Sequence, residues 1–320
     1  MYTRPMLACL FFFVILSFPA LAQQDYPNKP IKVIVPFPAG GVTDLGARIV
    51  LDRMSTSLGQ PILIDNRPGA GTKLGTLIAV KAPKDGYTLY LNNNSYSILA
   101  ALDSDPGYDA ENDLTAIGLS ASYGMAMIVN PSTNVQSLAE LIDIARKNPG
   151  KLTYGSAGLG SGTHFMGEHF KQLTGTDILH VPYKSTQLAT QDVAGGRIDI
   201  AFEGSVKPYV DSGKVRIIAV TDVNRDPRFP NIPTVSEAGL PEFTFASWLG
   251  LFAPNGLTDK QIMRLNQALN EATSDISVKR RLSDMGLTAT VGPPNLLRSQ
   301  IKDDLIRYKK IAATVKIKIQ

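Results

Sequence analysis

The sequence is poor in the residues that staple or metallate a domain. One cysteine in 320 residues excludes a disulfide framework, and with three histidines it makes a Cys/His zinc site improbable. Excess charge is also scarce. Lys+Arg 32 against Asp+Glu 28 leaves +4, and the basic residues are scattered apart from short runs such as Lys279-Arg280-Arg281. That excludes the electrostatic footprint of a nucleic-acid partner. No apolar run reaches the ~20 residues of a membrane helix, and no G-x-x-x-x-G-K-[ST] loop is present to cradle a polyphosphate. Apolar bulk is what the chain does have. With 44% hydrophobic and 19% charged residues it can bury a large core, and its length suits about two domains of ~100–200 residues each.

The N-terminus carries a targeting pattern. Arg4 precedes a nearly all-apolar run from Leu7 to Phe18, followed by Ala20-Leu21-Ala22 at the spacing a signal peptidase reads. The lone Cys9 lies inside this segment rather than at its end, which argues against a lipoprotein. Cleavage after Ala22 leaves a thiol-free, soluble, exported chain with a balance of +3, once Arg4 is lost.

Strand and helix patterns then alternate. Ile31–Phe37, Pro61–Asn66 and Tyr87–Asn93 read as strands; Val42–Leu58 and Lys73–Lys81 read as helices. A second block repeats the rhythm, with strands at Met125–Asn130, Leu152–Ser156, Ile178–Tyr183, Ile198–Glu203 and Val215–Thr221. Ser137-Leu-Ala-Glu140 and Thr258-Asp-Lys-Gln261 are capping-box patterns. Pro293-Pro294 opens a final helix with Leu297, Ile301, Leu305 and Tyr308 on one face. The rhythm predicts an α/β protein of two blocks, its sheets mainly parallel, with a helical tail.

The loops that follow the strands carry the chemistry. They are Pro36-Phe-Pro-Ala-Gly-Gly-Val-Thr-Asp44, Arg67-Pro-Gly-Ala-Gly-Thr72, Asn92-Asn-Asn-Ser-Tyr96, Gly155-Ser-Ala-Gly-Leu-Gly-Ser-Gly-Thr-His164 and Glu203-Gly-Ser205. Small and polar residues sit where helices begin, and open α/β sheets bind ligands at the carboxyl ends of their strands. Helix N-termini present unpaired N–H groups and a partial positive charge, and glycine lets them approach a ligand closely. The loops at 36–44 and 155–164 hold no Lys or Arg, which suits a carboxylate gripped by amides and hydroxyls. Asp44 reads either as a helix cap or as an acceptor for a ligand hydroxyl or ammonium. Glu203 is expected to face the cleft between blocks. His164 reads as a ligand donor or a loop cap. An esterase pairing Ser156 or Ser161 with His164 is the competing reading, although Gly160-Ser161-Gly162 lacks the nucleophile-elbow spacing. Gly69-Ala-Gly71 with Gly75 departs from the dinucleotide fingerprint by one residue. Trp248, Phe37 and Tyr183 are aromatic candidates for a pocket wall, Trp248 being better explained as core.

Taken in order, the motifs resemble those of the Bug-type solute receptors of tripartite tricarboxylate transporters. They are Tyr26-Pro27-x-Lys29-Pro30-Ile31, Pro36-Phe-Pro-Ala-Gly-Gly41 with Asp44, Asn66-Arg-Pro-Gly-Ala-Gly71, Ala82-Pro-x-Asp-Gly-Tyr-Thr88, Tyr154-Gly-Ser156, His180-Val-Pro-Tyr-Lys184, Pro233-Thr-Val-x-Glu-Ala-Gly239 and Trp248-x-Gly-Leu-x-Ala-Pro254. The resemblance implies a type II periplasmic-binding-protein fold: two α/β domains with a ligand cleft between them, domain 1 being residues 26–123 plus 247–320 and domain 2 residues 124–246. It implies a periplasmic receptor, not an enzyme, that closes on a small carboxylate or amino acid and delivers it to membrane transport subunits. A sensor kinase is the alternative partner. No cofactor or metal is implied. Carried over by motif, the ligand residues are Phe37, Ala39, Gly40, Gly41 and Asp44, then Ser156, Gly158, Thr163 and His164, with Asn93 and Ser95 on the third loop. Three positions depart from the family pattern: Gly71-Thr72 for Gly-Gly, Lys184-Ser185 for Lys-Gly, and Glu203 for Asp, whose longer side chain is expected to reach deeper into the cleft or displace a water.

Overall fold

A computed structural model describes residues 26–315. The expected signal peptide and its cleavage point lie outside the described residues.

Two sheets organise the chain, one of six strands in the order β11-β4-β10-β3-β1-β2 and one of five in the order β7-β6-β8-β5-β9. In the first, β1 (Ile31–Val35), β2 (Ile62–Asn66) and β3 (Thr88–Asn93) are parallel, so their carboxyl ends share one edge. Helices α1 (Val42–Leu58), α2 (Lys73–Val80) and α3 (Ser95–Leu102) follow them in turn. The sheet is mixed rather than mainly parallel, because β3 and the long β4 (Leu114–Gly124) both run antiparallel to β10 (Ala246–Pro254). Neither long strand announces itself in the sequence. Strand β4 is built largely of Ala, Gly, Ser and Thr, several of them weak strand formers, and β10 is an apolar run without alternation, buried on both faces.

The second sheet begins where the first lets go. One residue past β4, the chain enters β5 (Ala126–Val129) and then, after α4 (Leu138–Lys147), β6 (Thr153–Ser156). Helix α5 (Gly162–Thr174), β7 (Leu179–Pro182), α6 (Thr186–Ala194), β8 (Ile200–Glu203), the short α7 (Lys207–Asp211) and β9 (Arg216–Val220) complete it. Strands β6, β7 and β8 are parallel, with β5 antiparallel between β8 and β9. The chain returns to the first sheet at Ala246, which pairs with Gly124, so the outgoing and returning strands lie side by side. Thr221 joins them. Its N–H donates to the Met125 carbonyl (2.9 Å) and its carbonyl accepts the Phe245 N–H (2.6 Å). Its hydroxyl accepts the Met125 N–H (3.0 Å) and donates to the Phe245 carbonyl (2.7 Å).

Helices α8 (Asp259–Ser274) and α9 (Ile276–Asp284), strand β11 (Thr288–Ala289) and helix α10 (Pro294–Ala312) finish the chain on the six-stranded side. The capping box at α8 is complete, Thr258 and Gln261 each meeting the other's backbone. At α4 only half forms as expected: Ser137 accepts the Glu140 N–H, while Glu140 reaches back to the Gln136 N–H.

Leu297, Ile301, Leu305 and Tyr308 of α10 are buried, as their spacing predicts. Between them lies Asp304, 5% exposed, whose carboxylate accepts from Trp248 Nε1 (2.8 Å) and Gln300 Nε2 (2.9 Å). Trp248 is core, packed against Phe252. Burial pushes the Asp304 pKa up to about 6, against the pull of those two donors. A raised carboxyl favours the protonated fold, so this group's contribution is intact below about pH 4 and is lost as the pH climbs through 6. Relative to Asp304→Asn, the native protein should lose roughly 3 kcal/mol between pH 4 and pH 7. Urea titrations of both proteins across that range measure the difference, and parallel pH profiles would contradict it.

Candidate ligand-binding site

The first loop is shaped from behind. Asp44, fully buried in the first turn of α1, accepts four hydrogen bonds: from Gly40 N–H (2.9 Å), Arg48 Nε (2.9 Å), Arg48 Nη2 (3.0 Å) and Asn66 Nδ2 (2.8 Å). Burial acts to raise its pKa, but the Arg48, Gly40 and Asn66 hydrogen bonds outweigh it and hold the carboxyl below its usual range. With its acceptor positions used, Asp44 builds the loop rather than offering a lone pair to a ligand. Asn66 Nδ2 also donates to the Phe37 carbonyl (3.0 Å), which fixes Phe37 at the carboxyl edge of the sheet. Gly40 adopts φ +89°, where a side chain is strained. Ala39 and Gly40 are exposed, and Gly41 faces Gln187 of α6 on the other sheet.

The third loop meets the second sheet directly. Asn93 Oδ1 accepts the Ser95 N–H (2.8 Å), and Asn93 Nδ2 donates to Thr43 Oγ1 (3.1 Å) and Tyr123 OH (3.4 Å). Ser95 Oγ then accepts the N–H of Gly162, the first residue of α5, at 3.3 Å. The N-termini of α3 and α5 therefore converge from opposite sheets.

The glycine-rich loop after β6 is held by its own side chains. Ser161 caps α5 by accepting the His164 N–H (3.3 Å), and Thr163 Oγ1 accepts the Ala157 N–H (2.9 Å). His164 Nδ1 accepts the Gly160 N–H (3.1 Å). Ser156 Oγ accepts the Gly158 N–H (3.1 Å) and lies 2.6 Å from His180 Nε2. The His180 ring stacks between Tyr154 (4.9 Å) and His164 (4.1 Å). Burial, then the neighbouring His164 ring, pushes His180 down to about 4, and burial also lowers His164, so both are neutral at pH 7. Beneath them Gly167 leaves no room: a Cβ there would fall 2.1 Å from the Tyr154 ring.

Glu203 does not face the cleft. It is 1% exposed, and its Oε1 turns back to accept the N–H groups of Gly204 (2.8 Å) and Ser205 (2.9 Å), while Oε2 meets Thr190 Oγ1 (3.4 Å) on α6. The added methylene folds the carboxylate onto its own loop instead of extending it toward a ligand. Burial raises its pKa against these hydrogen bonds.

Two neighbouring spaces, which share Phe37, Ala157 and Ser161, lie between the loops. An inner cavity of about 40 Å³ is lined by Phe37, Asn93, Ser95, Ser161 and Thr163 among others, with Tyr123, Met125, Phe245 and Ser247 from the two crossing segments. An outer groove of about 800 Å³ lies beside it, between the loops that start at Pro36, Pro68 and Ala157. Gly158 lines the outer groove; Ala39, Gly40, Gly41, Asp44, Ser156, His164 and Glu203 line neither space. Among the described residues no cluster of three or more His, Cys, Asp or Glu is placed to hold a metal. The esterase pairing fails on geometry: the Nδ1 lone pair of His164 is taken by the Gly160 N–H, and Ser156 meets His180 instead. Among the described residues no carboxylate bonds to His180 to orient it as a base.

His180, Tyr123 and Ser247 escape a reading of sequence alone. His180 sits within a recognisable motif but pairs with a serine 24 residues away. Tyr123 and Ser247 lie on strands that the pattern does not reveal. Thr72 is a further surprise. It holds φ +89°, uncommon for a β-branched residue, lines the outer groove, and its buried Oγ1 has no partner among the described residues.

Comparison with known proteins adds a family. Residues 46–317 match the family described as the tripartite tricarboxylate transporter family receptor. BugT of Bordetella pertussis is 33% identical over 304 residues, covering 94% of this chain and 93% of BugT. The solved periplasmic binding protein BugD superposes with a TM-score of 0.87 at 29% identity, covering 92% of this chain and all of that one. An R. palustris protein solved with adipate superposes with a TM-score of 0.86 at 33% identity, covering 91% and 98% of the two chains.

Proposed function

The chain belongs to the tripartite tricarboxylate transporter receptor family, and from that premise we propose that it captures a small carboxylate by closing its two sheets and their helices around the ligand, then delivers it to membrane transport subunits. Members of this family are periplasmic solute-binding receptors, not enzymes, and among the described residues no helix is long and apolar enough to cross a membrane. The domain division that fits is 26–123 plus 247–320 against 124–246, with the hinge at the paired crossings.

The observation that carries the carboxylate reading is the inner cavity. Helices α3 and α5 point their N-termini at it, and its walls supply hydroxyls, amides and the Tyr123 phenol but no Asp or Glu. Such a space attracts an anion through its hydroxyl and amide donors and the aligned peptide dipoles. An amino acid would bring an ammonium that finds no carboxylate there, since Asp44 and Glu203 are both engaged elsewhere. The adipate-bound relative supports the same ligand class. Phe37, Asn93, Ser95 and Thr163 would touch the ligand; Gly40, Gly41, Asp44, Ser156 and His164 would shape the loops that do.

Thermal-shift screening of the purified receptor against mono-, di- and tricarboxylates, amino acids and aromatic acids tests this reading. A binder stabilises by RT ln(1 + [L]/Kd), about 2.7 kcal/mol at a hundred times Kd. Stabilisation by acids but not by amides or amines of the same skeleton is expected. A flat response to every acid at millimolar concentration would sink it.

A further inference from the structure

The inner cavity is the smaller of two neighbouring spaces. Its volume is about 40 Å³, against about 800 Å³ for the groove beside it. Asn93, Ser95, Ser161, Thr163 and Tyr123 in its walls suit it to the acid group of a ligand. An extended ligand body finds its room in the neighbouring groove, which shares Phe37, Ala157 and Ser161 with the cavity.

The groove has a distinct chemistry. Its walls are mainly apolar, with Pro36, Phe37 and Leu99 on one side and Leu159, Pro182 and Tyr183 on the other. Three charged residues line it. Lys73 is already committed, its ammonium 2.8 Å from Asp103 and 2.7 Å from the Asp105 carbonyl. Lys184 is exposed and has no carboxylate partner among the described residues. The groove thus supplies extensive apolar surface and one uncommitted cation.

We propose that the ligand of this receptor is a carboxylate with an extended apolar body, either a straight chain of several methylenes or a single ring. Its acid group lies in the inner cavity, its body lies along the groove, and one second carboxylate can meet Lys184. This extends the carboxylate reading given above and depends on it. Compact acids with three carboxylates fit poorly, because two of their charges would be desolvated against apolar walls with one ammonium between them.

Titration calorimetry of the purified receptor with two homologous series, straight-chain monocarboxylates and α,ω-dicarboxylates of three to eight carbons, tests the proposal, with citrate and benzoate as references. Affinity should rise about fourfold per added methylene until the groove is filled. Dicarboxylates should bind more tightly than monocarboxylates of equal length, and Lys184→Ala should narrow that gap. Leu159→Asp, at an exposed loop position, should flatten the dependence on chain length. Affinity that is level or falls with chain length, or citrate binding more tightly than any straight-chain acid, would overturn the extended-body proposal while leaving carboxylate capture standing. Absence of binding by every acid, citrate and benzoate included, would instead remove the carboxylate reading beneath it.

Discussion

Gly71→Ala should weaken ligand binding roughly 5- to 150-fold, the equivalent of the 1–3 kcal/mol that overpacking costs. Gly71 follows β2 on the six-stranded side, and a Cβ placed on it would lie 2.9 Å from both the Gly160 carbonyl carbon and the Leu159 oxygen, which follow β6 on the other side. These are backbone atoms of a loop held by its own hydrogen bonds, so they cannot swing away as a side chain would. In the proposed closure, this steric penalty falls on the closed arrangement alone. A second cost is shared by open and closed forms, because Gly71 sits at φ +61°, where alanine is strained. Gly59→Ala separates the two effects. Gly59 ends α1 at φ +68°, and a methyl group placed there would have nothing within 4 Å, so that variant should lose stability and bind normally. Calorimetric Kd values for both variants, with any acid that binds the native protein, decide the matter. Native affinity in Gly71→Ala would contradict the proposed closure.

Asp44→Ala should lower unfolding free energy by about 3 kcal/mol, because it leaves the Gly40 N–H and one of the two Asn66 amide hydrogens without an acceptor and Arg48 without its carboxylate. The Arg48 side chain is 46% exposed, so water recovers part of the ion-pair loss; the neutral donors account for most of the rest. The same change frees the Gly40-Gly41 loop, and binding should weaken along with stability. Urea denaturation midpoints measure the first effect. A cost below 1 kcal/mol would show that the four contacts carry little of the loop's rigidity.

The two effects differ in how visible their residues are from sequence. Gly71 and Asp44 stand out as glycine-loop and helix-start residues, and the strands before them are apolar runs whose ends are marked by Pro and Gly. Their roles are harder to read. Asp44 and Glu203 are both acidic residues at a carboxyl edge, where polar groups meet ligands, yet both carboxylates turn toward backbone N–H groups of their own loops. Spacing along the chain does not encode that rotation. The long strands β4 and β10 are hidden for a different reason: their residues pair with each other across more than a hundred positions, and the small side chains of β4 are selected by that packing rather than by strand propensity. His180 pairs with Ser156 through a stack of three rings that depends on Gly167 far along the next helix. Contacts of this kind are fixed by tertiary structure, and a local pattern carries no trace of them.

Thr221 has a mechanical consequence. Because one buried residue bonds to Met125 on the outgoing segment and Phe245 on the returning one, the pair is tied as a laminated strip rather than two loose tethers. Independent swivelling of either ply would break hydrogen bonds that have no water to replace them. The motion this leaves to the proposed closure is a common flexure, a single degree of freedom. A molecule confined to one such motion surrenders little disorder when a guest arrests it, and more of the contact energy is left to appear as affinity.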